Sequence, residues 1–188
     1  MSWLGHLNLD YRLDGDRTIA LDRHDGPLRV LQRLYPEGPG ICHHVLVHPP
    51  GGIAGGDELN VRAQLGTGTH ALITTPGATR FYKSAGPMAV QRLVAHVGDQ
   101  ARLEWLPLET IAYRGCRAEN VMMGWDVLAL GLPAAAEAFD SVEYPDGEFT
   151  QQIELPGIWL ERGCVKADDQ HLLDSPLGSA GLRVSRTL

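Results

Sequence analysis

The residues best equipped for chemistry meet in one short stretch, His48-Pro49-Pro50-Gly51-Gly52-Ile53-Ala54-Gly55-Gly56-Asp57-Glu58. Proline fixes φ, while glycine opens positive φ and close backbone approach. Used this densely between two strand-like runs, they specify one backbone path and not a loose linker. The stretch ends on two carboxylates, which together with backbone carbonyls could meet a hard or borderline cation. The backbone of Asp57 is expected to be held by the turn alone, leaving its carboxylate free for such a contact. A phosphate cradle would need a following Lys-Ser/Thr pair or a helix. Asp57 and Glu58 would repel phosphate, so a nucleotide site is excluded.

Other candidates are weaker taken singly. His44 and His48 have the spacing of helical metal ligands, but Val45-Leu46-Val47 between them and Pro49-Pro50 after them dictate an extended chain. Their α-carbons would then stand roughly 13 Å apart, too far for one metal, and His43 and His44 would face opposite ways. Ordinary strand histidines are the preferred reading, with His48, at the mouth of the glycine turn, the better candidate. Asp126 lies in the mostly apolar run Val121–Leu130, where a carboxylate needs a partner, water or an exposed face. A salt bridge to an arginine is its plain explanation. Glu161 alternates in phase with Trp159, and Glu104 and Glu109 flank Trp105 and Pro107; lone glutamates are usually solvated. No nucleophile constellation stands out: Ser84 lacks a G-x-S-x-G elbow, and Cys42 beside His43 is not a dyad.

These residues must be positioned by short strands. Candidate strands cover 3–13, 18–23, 28–35, 41–48, 58–65, 70–75, 89–97, 101–106, 121–130, 149–155 and 158–165, with Gly, Pro and Asp clusters between them. Residues 133–139 could form a short helix with Pro133 in its first turn. A weak repeat at an offset of 32 sets Val61, Ala63, Leu65, Gly66 and Ile73 against Leu93, Ala95, Val97, Gly98 and Trp105. Such self-similarity suits stacked coils, although a sandwich or barrel also stays open.

Composition bounds the reading further. The 188 residues suit one domain, and 44% apolar with 21% charged residues is ordinary for a soluble globular chain. A net charge of −7 disfavours nucleic acid and anionic membranes as partners. Three cysteines without a C-x-x-C pair point to reduced thiols in a cytoplasmic protein. No apolar leader or membrane-spanning run is visible.

Three blocks resemble the urease accessory protein UreD (UreH) family: His48 to Leu59, Thr74-Thr75-Pro76-Gly77-Ala78-Thr79-Arg80-Phe81-Tyr82-Lys83-Ser84, and Leu103 to Ile111. Leu28 to Gly38 is similar to the family's V-x-R-x-x-Y-P-E-G pattern, and Gly124-Trp125-Asp126 and Leu160-Glu161-Arg162 follow in the family's order. The chain departs from the pattern in being short near residue 120 and after about residue 165. The resemblance implies a mainly β, β-helix or solenoid-like stack of short strands with one or two short helices, as a single domain over residues 1–188. It implies no enzyme, but an assembly chaperone that binds urease apoprotein and a UreF–UreG complex. It also implies transient nickel(II) passage along an internal polar route, with no closed metal site and no tightly bound cofactor. Asp57, Thr79, Arg80, Asp126 and Glu161 are then the lining candidates, with His48, Glu58, Glu104 and Glu109 behind them. The alternatives are an adaptor that only bridges proteins and, given 6% aromatics, less readily a β-solenoid enzyme on carbohydrate.

Overall fold

A computed structural model describes residues 2–108, 110–113, 115–125, 148–155 and 182–187. The described chain is mainly β. Its strands are β1 (Leu4–Asp14), β2 (Arg17–Asp25), β3 (Arg29–Val30), β4 (Ile41–Val47), β5 (Glu58–Leu65), β6 (His70–Thr74), β7 (Thr79–Phe81), β8 (Ala89–Val97), β9 (Arg102–Leu106), β10 (Thr110–Ala112), β11 (Arg117–Trp125), β12 (Glu148–Leu155) and β13 (Leu182–Thr187). No helix occurs among the described residues, so none there is long and apolar enough to cross a membrane. The helix expected at 133–139 and the strand expected at 158–165 lie outside them.

Strand alternation explains the layout. On β1 the side chains of Leu7, Leu9 and Tyr11 turn inward while His6, Asn8 and Asp10 face water. The same phase recurs on β5 with Leu59, Val61, Ala63 and Leu65, and on β8 with Ala89, Leu93, Ala95 and Val97. These strands run parallel in one sheet of order β13-β12-β11-β8-β5-β1-β2, with antiparallel pairs only at its two ends. A second sheet, β3-β4-β6-β9, and a third, β7-β10, complete the arrangement. Each strand of β8-β9-β10 lies parallel beside its counterpart in β5-β6-β7.

The offset read from the sequence is the register of this pairing. Val61 lies opposite Leu93, Ala63 opposite Ala95, Leu65 opposite Val97, and Ile73 opposite Trp105. Like side chains therefore pile on like, and the core is built of rows: Leu7, Val61, Leu93 and Met122 form one. Gly98 N donates to Leu65 O at 2.9 Å, and a Cβ on Gly98 would meet that same oxygen at 2.9 Å. Only glycine lets adjacent turns approach so closely.

Three elements differ from expectation. The block from Thr74 to Ser84, with no strand expected between residues 75 and 89, contains β7, and β10 lies beside it where no strand was expected either. Phe81, fully buried, sits between Ile53 and Ala112 on neighbouring strands of chain. The strand expected over 28–35 is broken: Arg29 and Val30 pair with β4, and pairing resumes at Leu34 opposite His43, one residue out of step. That slip is a bulge, which absorbs the extra residue and interrupts the ladder. Finally, β11 begins four residues before the expected 121, and Glu119-Asn120 run inside it.

Candidate functional site

The glycine turn closes on itself through Asp57. This carboxylate is buried, 3% exposed. Its Oδ2 accepts the Ala54 N–H at 2.8 Å and its Oδ1 accepts the Trp3 N–H at 2.8 Å. The Asp57 side chain thus ties the turn to the start of β1. The expectation of a carboxylate held by the turn and free for a cation is corrected: both oxygens already take backbone amides.

Before that turn, Leu46 and His48 follow the inward phase of β4, where Cys42 and His44 are also buried. His48 Nε2 is shut off from solvent and has no hydrogen-bond partner. Burial lowers the imidazole pKa, against the opposing pull of the Asp57 charge. His48 opens on a cavity of about 90 Å³ whose walls include Gly51, Gly52, Thr75, Thr79, Arg80 and Gln91. The glycine turn and the Thr74–Ser84 block, separate in sequence, therefore wall one space. Thr79 takes the inward phase of Phe81 on β7, and Arg80 the outward one.

Gln91 and Asn120 escaped the sequence reading. Both take inward positions, on β8 and β11, facing each other across the register. Gln91 Nε2 donates to Asn120 Oδ1 at 3.4 Å, and Gln151 holds the next register position on β12. The signal was available: each of the two lies in phase with apolar neighbours, Ala89 and Leu93 for Gln91, Ala118 and Met122 for Asn120.

Of the remaining described candidates, Glu58 and Glu104 are not among the residues that wall the cavity. Glu58 faces outward, bound to Arg92 Nη1 at 2.7 Å and to Asn60 Nδ2 at 3.1 Å. The Asn60 hydrogen bond, then the Arg92 charge, hold its carboxyl below the usual range. Glu104 Oε1 lies 2.6 Å from His70 Nε2 across the β6–β9 pair. Asp126, Glu161 and Glu109 lie outside the described residues. Among the described residues no three His, Cys, Asp or Glu side chains converge as a metal cluster.

His44 has a different role. It is fully buried, and its Nδ1 lies 2.8 Å from the Tyr11 hydroxyl. Burial depresses its pKa from 6.5 to about 4. Between those values the unfolded chain binds a proton that the folded chain refuses, so stability rises with pH across this window. The neutral-form stability present above pH 6.5 is lost as pH falls towards 4, by about 3 kcal/mol at the limit. Denaturant unfolding of wild type and His44→Gln at pH 7 and pH 4.5 measures this. The difference between the two should shrink at the lower pH; a constant difference would mean His44 does not titrate this way.

A family model described as UreD urease accessory protein matches residues 4–188. The urease accessory protein UreD of Leptothrix cholodnii is 62% identical over 199 residues, covering 100% of this chain and 70% of that protein. That of Methylibium petroleiphilum is 57% identical over 217 residues, with 100% and 72% covered. That of Variovorax paradoxus is 54% identical over 198 residues, with 100% and 70% covered. The cavity walled by the glycine turn and the Thr74–Ser84 block is thus built from the segments that carried the resemblance, and the chain belongs to the UreD urease accessory protein family.

Proposed function

We propose that this chain is a urease maturation factor that binds urease apoprotein together with UreF-like and UreG-like partners in the cytoplasm and hands nickel(II) along an internal polar route. It is not itself a catalyst. The carrying observation is that two family blocks wall one cavity that His48 also lines, with the His48 Nε2 enclosed and without a hydrogen-bond partner. A neutral imidazole suits a borderline divalent ion, but a threonine hydroxyl and an amide are weak ligands, so the set as a whole falls well short of a closed cage. Weak ligands suit cargo that must be released, and about 90 Å³ holds water beside it. The Gln91–Asn120 pair extends the polar lining from β8 to β11. The parallel registers support a β-helical stack as the scaffold.

In this reading Thr79, Gln91 and His48 line the route, and Arg80 balances charge at the mouth. Asp57 contributes a fixed negative charge behind the cavity and not a ligand. Asp126 and Glu161 remain candidates further along. The adaptor reading, in which the chain only bridges proteins, draws its support from the structural engagement of both buried Asp57 oxygens by backbone amides.

The test is nickel in urease. With the complete set of accessory proteins, His48→Leu and Thr79→Val should leave co-purification with urease apoprotein intact and lower urease nickel content severalfold. Unchanged nickel content would favour the adaptor. Full nickel loading and activity in cells lacking the chain altogether would overturn a maturation role.

A further inference from the structure

From Leu59 to Gly98 the chain contains no Asp or Glu, yet it contains Arg62, Arg80, Lys83 and Arg92. This lies within a protein of net charge −7. The positive excess is therefore local. Arg92 is spoken for, between Glu58 at 2.7 Å and Glu119 at 3.9 Å. Arg80 and Lys83 are exposed, and they belong to β7 and the residues just after it. No described carboxylate belongs to β7, to β10 or to the segment joining β7 to β8.

Between those two cations stands an unusual pair. Tyr82 and Tyr113 follow β7 and β10, 41% and 44% exposed, with rings stacked at 5.4 Å between centroids and 14° between planes. Tyr82 is also fixed from the other side. A Cβ on Gly52 would lie 2.0 Å from Tyr82 Cε2, so the ring rests directly on the backbone of the glycine turn. Leu108, 45% exposed, precedes β10. Two large rings immobilised before any partner arrives lose little side-chain entropy on binding, and tyrosine and arginine are the residues that dominate interface energetics.

The geometry points to the outer face of β7 and β10, with Tyr82 and Tyr113 as anchors and Arg80 and Lys83 as charge contacts, as the docking site for an acidic segment of a protein partner. The commitment to an acidic partner rests on charge complementarity. A basic patch with no described carboxylate, on an acidic molecule, attracts an acidic surface while the rest of the molecule repels it, which selects this face and orients the encounter. RNA could also stack on tyrosines, but the overall charge of −7 opposes a polyanion as long as a nucleic acid. The inference rests on the maturation reading for the identity of the partners. It adds where one of them binds, beside Arg80 at the edge of the cavity.

The experiment uses the full chain with purified urease apoprotein and, separately, with the purified UreF–UreG-like complex. The variant combines Lys83→Glu with Tyr113→Ser, which spares Arg80 and the Tyr82 ring against Gly52. Its thermal midpoint should match wild type, and Lys83→Arg serves as the conservative control. One of the two associations should weaken at least tenfold, while Lys83→Arg stays near wild type. The wild-type affinity for that partner should fall between 50 and 300 mM salt and the variant's should not. Both associations unchanged within twofold would overturn the docking site. So would loss confined to binding of a single-stranded RNA probe. If the variant unfolds, Lys83→Glu alone, at an exposed position, carries the same test through its salt dependence. If wild type binds neither partner, the maturation reading fails first, and the two failures remain distinct.

Discussion

Replacing Asp57 by alanine is expected to destabilise the fold by about 3–5 kcal/mol, because two backbone donors lose a charged acceptor. The Trp3 and Ala54 amides both sit at 2.8 Å from the carboxylate, in a place where it is 3% exposed. Water cannot replace it without opening the junction between the glycine turn and β1. Asp57→Asn keeps one good acceptor but turns an NH₂ towards the other amide, so an intermediate loss is expected. Thermal unfolding followed by tryptophan fluorescence measures both, and a drop on the order of 10 °C for the alanine variant corresponds to this energy in a chain of this size. A midpoint within about 2 °C of wild type would return Asp57 to the role of a free carboxylate.

Phe81→Ala is expected to cost about 3–5 kcal/mol. Phe81 is 0% exposed and stands in the row Ile53, Phe81, Ala112 that holds the third sheet together. Its loss leaves a cavity that the short strands β7 and β10, three residues each, cannot collapse to fill. Phe81→Leu should recover most of the loss. Denaturant titration gives the comparison; a cost below about 1 kcal/mol for alanine would mean that the row does not hold the core.

The sequence carried the register because the register is repetition. Where one strand lies parallel on its counterpart, side chains of equal size stack, and Val61, Ala63 and Leu65 foretell Leu93, Ala95 and Val97. The bounds of β5 and β8 follow from the same alternation. What stayed hidden has a physical reason in each case. β7 and β10 are too short to show a period, and their flanking glycine and proline read as turn. The partners of Asp57 are main-chain amides, one of them 54 residues earlier at Trp3, and a main-chain donor leaves no trace in residue type. Asn120 falls just ahead of the expected strand 121–130 because an amide in the core is rare; its partner Gln91 is 29 residues away and is recognisable only once the register is known. His48 was legible as a candidate from its place before Pro49-Pro50, while its enclosure by Thr75 and Thr79 was not.

The spacing of the parallel pairs also sets the order in which the chain can acquire its shape. Among the described strands of the large sheet the only pair closed by a tight turn is β1 with β2, joined through a two-residue turn at Gly15-Asp16 with Gly15 at φ 63°. That hairpin can close within microseconds. Every other strand of the large sheet up to β11 must find a partner across a long loop, Leu4 to Glu58 for the first and Glu58 to Val90 for the next. Each such closure pays chain entropy before its contacts reward it, which makes folding slow and sequential. β1 is then the template on which β5 is laid, β5 the template for β8, and β8 for β11. During synthesis the template emerges first, so growth follows the ribosome. Deleting strands from the late end strips the last additions, whereas deleting the first hairpin removes the seed on which all the others are laid.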